Sequence, residues 1–138
     1  MRDNESALPV IRLTKHDEPS VRLMAVYALG FLDSPQAQPV LVGALNDPDE
    51  MVKWNAAFAL ANRNDTAARD MLVRLLDKEY VDRFTDVTLQ NRQRYRIAAV
   101  NWLGKLNETS ALESVSRDDL DLQVRNAAIQ QLNDFGKK

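Results

Sequence analysis

Apolar residues along the chain recur at intervals of three and four. Between Val21 and Leu32 they fall at Val21, Met24, Ala25, Ala28, Leu29 and Leu32, a set that shares one face of a helix. Strand-type residues never alternate with polar ones over a long stretch, so no sheet is expected. Short polar clusters separate the periodic segments, among them Asp33-Ser34-Pro35, Asn46-Asp47-Pro48-Asp49 and Asn62-Arg63-Asn64-Asp65-Thr66. Such clusters supply turns and helix N-caps, because short polar side chains bond the free backbone N–H groups at a helix start. The pattern predicts an all-α chain.

The helices repeat. Val21-Arg22-Leu23-Met24-Ala25-Val26-Tyr27-Ala28-Leu29-Gly30 aligns without a gap on Val52-Lys53-Trp54-Asn55-Ala56-Ala57-Phe58-Ala59-Leu60-Ala61, 31 residues later. Further copies start at Tyr95 and Val124. All four carry Arg or Lys at the second position, Ala at the fifth and Leu at the ninth. A second amphipathic segment lies between copies: Ala37, Val40, Leu41, Ala44 and Leu45 recur as Ala68, Met71, Leu72, Leu75 and Leu76. The unit is helix, tight turn, helix, and neither helix buries its apolar face without a stacked neighbour. The expected organisation is a single domain with a half-repeat over 5–16, repeats over about 17–46, 47–77 and 90–117, and a terminal half-repeat over 118–136. That makes about seven or eight helices. The interval from Val52 to Tyr95 is 43 residues, which leaves an insertion at about 78–92.

The stretch from Asp17-Glu18-Pro19-Ser20-Val21-Arg22 to Leu45-Asn46-Asp47 resembles HEAT repeats, in particular the phycobilisome-lyase-type HEAT-like repeats. The resemblance runs through nearly the whole chain. It implies a right-handed α-solenoid of stacked antiparallel helix pairs, an armadillo-type superhelix with first helices convex and second helices concave. It also implies a non-enzymatic scaffold or adaptor that binds a protein. The alternative is a bilin-lyase-like or other enzyme-associated subunit, since one repeat architecture serves many functions.

Composition narrows the chemistry. The 138 residues are 45% hydrophobic and 28% charged, with a formal net charge of −2, no cysteine and one histidine. That rules out disulfides, thiolate metal sites, cysteine nucleophiles and multi-histidine sites. The acidic balance disfavours nucleic acid as a partner. No apolar run approaches the ~20 residues of a membrane span, and the first residues lack a signal-peptide core, so a cytoplasmic protein without a membrane partner is expected. His-Glu pairs, Gly-x-Ser-x-Gly and phosphate-binding glycine loops do not occur. No catalytic, metal or cofactor site is expected. His16, beside Asp17 in a turn, reads as a solvated helix-end residue.

The second-position cations Arg22, Lys53, Arg96 and Arg125 form a structural ladder. Asp47, Asp77 and Asp118 or Asp119 are the turn aspartates placed to accept from it. Gln38 and Val42 on one second helix, and Arg69, Val73 and Arg74 on the next, point away from the core by the helical period. Val42 and Val73 stand 31 apart and predict an apolar strip for a protein partner. In the insertion, Tyr80 and Phe84 lie one helical turn apart. They either fold onto the solenoid flank, which that spacing favours, or project as a partner-binding segment. On the first helices, Leu23, Tyr27, Trp54, Phe58 and Ile97 are expected between neighbouring first helices, and Trp102 in the core. Apolar positions of the first and last segments, Leu8, Ile11 and Leu13 with Ala127, Ile129 and Leu132, are expected to be exposed, with end-to-end self-association through Ile129.

Overall fold

The computed structural model describes residues 4–137. Among these it contains nine α-helices, one 3-10 turn and no strand. The all-α expectation holds, with more helices than the seven or eight expected. The excess arises in the insertion, which forms a short helix of its own ahead of a long first helix. By contacts the chain divides into two units, with the boundary between Met71 and Leu72.

The first unit holds α1 (Asn4–Leu13), α2 (Pro19–Leu29), α3 (Ala37–Ala44), α4 (Glu50–Asn62) and the turn Thr66–Ala68. Pro19 begins α2, where its missing N–H costs nothing and its fixed φ suits a helix. The Asp49 carboxylate caps α4 by accepting from the Val52 N–H at 3.2 Å. First helix stacks on first helix, α2 on α4, and α3 packs against both. The approach is close at Gly30: a Cβ there would lie 2.9 Å from Ala59 Cβ and 3.0 Å from Ala59 Cα. Glycine is required by space at this position. The Asn62 amide donates to Gly30 O at 2.9 Å, and the Arg63 guanidinium donates to Leu32 O and Ser34 O at 2.6 and 2.9 Å. These bonds tie the turn after α2 to the end of α4.

Helix α5 (Arg69–Leu75) spans the boundary. The second unit continues with α6 (Lys78–Asp82), α7 (Leu89–Lys105), α8 (Ser110–Asp118) and α9 (Leu122–Gly136). Asp77, Thr88 and Asp121 cap α6, α7 and α9 through their side chains. α9 lies against α7 and α8, and α6 lies on α7. Here Gly104 faces Gln131, as Gly30 faces Ala59 in the first unit. Counted along the ten-residue repeat, position ten of one first helix meets position eight of the next in both units.

Helices α4 and α7 end alike. Asn64 and Asn107 adopt the left-handed conformation, with φ of 58° and 60°. The following N–H groups, of Asp65 and Glu108, bond back to Leu60 O and Leu103 O at 2.9 Å. This is a Schellman end with asparagine in the glycine place, which asparagine tolerates better than other side chains.

One of the two tryptophans departs from its expected place. Trp54 is fully buried, whereas Trp102 is half-buried with the Lys105 ammonium 4.6 Å from its ring centroid. Trp102 stands at position eight, where its alignment with Ala28 and Ala59 suggested core. A bulky ring there reaches the surface and is covered on one face by the lysine.

Candidate functional site

The ladder cations separate into two kinds. Arg22 donates from Nε and Nη2 to the two Asp47 oxygens at 2.9 and 3.0 Å, and from Nη1 to the carbonyls of His16 and Asp17, both at 2.9 Å. Hydrogen bonding to Asp47 raises its pKa further above the ordinary arginine value. Arg96 grips Asp119 from Nη1 and Nη2, and Nη2 also donates to Leu76 O at 2.7 Å. Its Nε is buried without an acceptor among the described residues. Each aspartate in turn accepts the N–H two residues on, from Asp49 at 2.9 Å and from Asp121 at 3.0 Å. Asp49 and Asp121 are themselves the caps of α4 and α9. One carboxylate therefore fixes the arginine while the next opens a helix, and the chain builds this turn twice.

The other two cations depart from the expected ladder. Lys53 pairs with Glu50 in its own helix at 2.9 Å, and Asp77 is occupied as the α6 cap, accepting from Glu79 N–H at 2.9 Å. A lysine offers a single charged point where arginine offers a fork, so it settles on the adjacent carboxylate. Arg125 is half-buried and makes no ion pair among the described residues.

The residues proposed from the sequence for a partner surface fall in both units. Gln38 is exposed and donates to the Asp65 carboxylate at 3.0 Å. Arg69 pairs with Asp70 at 3.2 Å. Val42 belongs to the first unit and Val73 to the second, and each is half-buried. The Arg74 guanidinium carbon lies 4.3 Å from the Tyr80 ring centroid, and Tyr80 meets Phe84 edge-on at 5.3 Å. Tyr80 is only 4% exposed, so it is packing and offers nothing to a partner. Phe84 is half-buried beside it. The insertion folds back because its aromatics have this cation and each other to cover. The His16 Nδ1 accepts the Glu18 N–H at 3.1 Å in an exposed turn, away from any cluster of metal-binding groups among the described residues.

Two carboxylates in the second unit give a pH prediction. Asp82 lies below its usual pKa because Lys78 and then Arg92 bond it. Burial opposes ionisation of Asp121, but the Gln93 amide and the N–H groups of Val124 and Gln123 outweigh it and lower its pKa. A carboxyl lowered in the folded state stabilises fully above its unfolded value, near about 4, and that contribution is lost as pH falls through the folded value. The melting temperature should hold from neutral pH to about 5 and fall in more acid solution. Asp121→Asn should start lower at neutral pH and show a shallower acid decline. Parallel curves for the two proteins would remove Asp121 from the account.

Leu13 of α1 is exposed as expected, and the apolar surface continues from it onto α2 through Met24, which the sequence reading missed. Val10 and Leu13 of α1 and Val21, Met24, Ala25 and Ala28 of α2 line a groove of about 350 Å³. Met24 is 61% exposed, and beyond it Tyr27 and Phe31 (66% exposed) stand with ring centroids 5.0 Å apart. One signal was available: position four of the repeat is Met24 here but Asn55 in the next copy. The periodicity had assigned Met24 to the core.

Residues 7–92, more than half of the chain, match the family model for HEAT repeats. The chain belongs to the HEAT-repeat family. The match is to HEAT repeats at large, not to their lyase-type subclass, and no curated protein matches the chain. HEAT repeats are helical modules of the protein-interaction kind, and no described helix is long and apolar enough to cross a membrane. In HEAT terms, α2, α4, α7 and α9 are first helices, and α1, α3, α5 and α8 are second helices. Within each unit the earlier first helix turns positions six, nine and ten toward the later one, α2 toward α4 and α7 toward α9, and the later one turns positions one, four, five and eight back. Val26, Ala57 and Val100 at position six are all fully buried, but Ile129 in α9 is 40% exposed.

Proposed function

We propose that this HEAT-repeat chain is a non-enzymatic scaffold or adaptor module that takes an apolar helix of a protein partner into the groove between α1 and α2. The observation that carries the proposal is the apolar groove with Met24 exposed on its lining, and Tyr27 and Phe31 exposed further along the chain. Isolated exposed apolar residues are ordinary on a soluble surface, but a contiguous set around a concavity marks an interaction site. In helix-in-groove binding the partner helix brings anchors one turn apart and the receiving protein provides an apolar hollow, which is the part α1–α2 plays in this proposal. A cytoplasmic setting belongs to the same proposal.

The test is affinity capture followed by mass spectrometry with three baits: wild type, Met24→Glu, and Arg69→Glu combined with Arg74→Glu. Proteins held by wild type should be lost with Met24→Glu and kept by the double arginine variant. Because Met24 is exposed, the variant should melt within a few degrees of wild type, so the loss reports binding. Capture that survives Met24→Glu but fails with the arginine pair would move the interface to the second helices and overturn the proposal.

A further inference from the structure

Resting on that reading of the groove, we propose that a second copy of this chain is an occupant: α9 of one copy docks into the α1–α2 groove of another, repeating the stacking of α2 on α4. The contact inside the chain supplies the template. In the first unit the forward flank of α2, with Val26 and Leu29 fully buried and Gly30 against Ala59, meets the rear flank of α4. The rear flank of α2 itself, made of Val21, Met24, Ala25 and Ala28, faces the open groove. A first helix presenting its forward flank is therefore the shape this groove fits.

Helix α9 is such a helix. Its rear flank is seated on α7 and α8, with Val124 and Ala128 fully buried. Its forward flank holds Ile129 at position six and Leu132 at position nine. Position nine is fully buried as Leu29, Leu60 and Leu103, while Leu132 is only half-buried. Position six repeats the contrast, with Ile129 exposed where its three equivalents are enclosed. Two residues thus have core identity without core surroundings, on the flank that the α1–α2 groove would cover. The repeat fixes the register too. Position ten meets position eight in both units, so Asn133 of one copy comes opposite Ala28 of the other; position ten is glycine in both contacts inside the chain, so the two copies stand further apart at this point than α2 and α4 do. The two surfaces differ, so the contact is heterologous: a pair of copies keeps one free donor helix and one open groove between them.

Sedimentation velocity on the purified chain, from micromolar to millimolar concentration, tests this with Met24→Glu and Ile129→Glu. Both positions are exposed, and circular dichroism melts check that each variant folds as wild type does. Wild type should grow past the mass of a dimer as concentration rises, and each variant alone should stay monomeric. An equimolar mixture of the two should form a one-to-one complex that grows no further, because one groove and one α9 remain intact between them. A monomeric wild type at millimolar concentration, or a mixture that stays monomeric, overturns the inference. If partner capture is still lost with Met24→Glu in that case, the groove's binding role stands without self-association. If capture is unchanged, the groove reading itself fails.

Discussion

Arg96→Ala is expected to lower the unfolding free energy by about 3–5 kcal/mol, because it leaves a buried carboxylate without its cation. The Arg96 and Asp119 side chains are 4% and 9% exposed, and the guanidinium also satisfies Leu76 O. The Asp119 carboxylate holds the Asp121 N–H as well, so the loss reaches the cap that starts α9. Lys53→Ala is the control. Its pair with Glu50 is partly exposed and confined to one helix, so it should cost well under about 1 kcal/mol. Replacing both Arg96 and Asp119 by apolar residues of similar size should restore much of what Arg96→Ala removes, since removing both charges strands neither. Urea unfolding of the four proteins checks the order. Equal losses for Arg96→Ala and Lys53→Ala would show that the ladder is a surface feature.

Leu60→Ala should cost about 2–5 kcal/mol, the range for emptying a large buried site that relaxes only partly. Leu60 is fully buried, as are its equivalents Leu29 and Leu103 at position nine. Its carbonyl also accepts the Asp65 N–H that closes the Schellman end of α4. The side-chain loss should therefore appear without a change in that turn, readable as an unaltered helical signal below the transition. A loss under about 0.5 kcal/mol, the scale of surface substitutions, would place Leu60 outside the core and break the repeat register.

Which parts of the molecule were legible follows from how locally each is determined. The helix pairs were, because a 3.6-residue period repeated four times leaves one architecture. The Arg22–Asp47 pair was also within reach, since both partners sit at fixed repeat positions and arginine's fork favours a carboxylate. Lys53 shows where this fails: the position is the same, but Glu50 lies one turn away and the ammonium has no geometric demand. Trp102 was misplaced because alignment with alanine predicts a small space, and a ring escapes to the surface under a lysine stem. Met24 is the instructive case. Position four joins the apolar periodic face, but burial depends on which flank has a neighbour, as it does at Ile129, which was expected to be exposed and is. That is a tertiary fact, and no residue pattern within one helix encodes it.

The account turns on the α1–α2 groove as the face by which this HEAT-repeat chain meets other proteins. Site-specific photo-crosslinking tests it most directly, with a benzophenone side chain placed at position 24 in one protein and at position 42 in another. The expected result is efficient cross-linking to another protein molecule from position 24 and background yield from position 42. Cross-links from position 42 with none from position 24 would contradict the account and return the interface to the second helices.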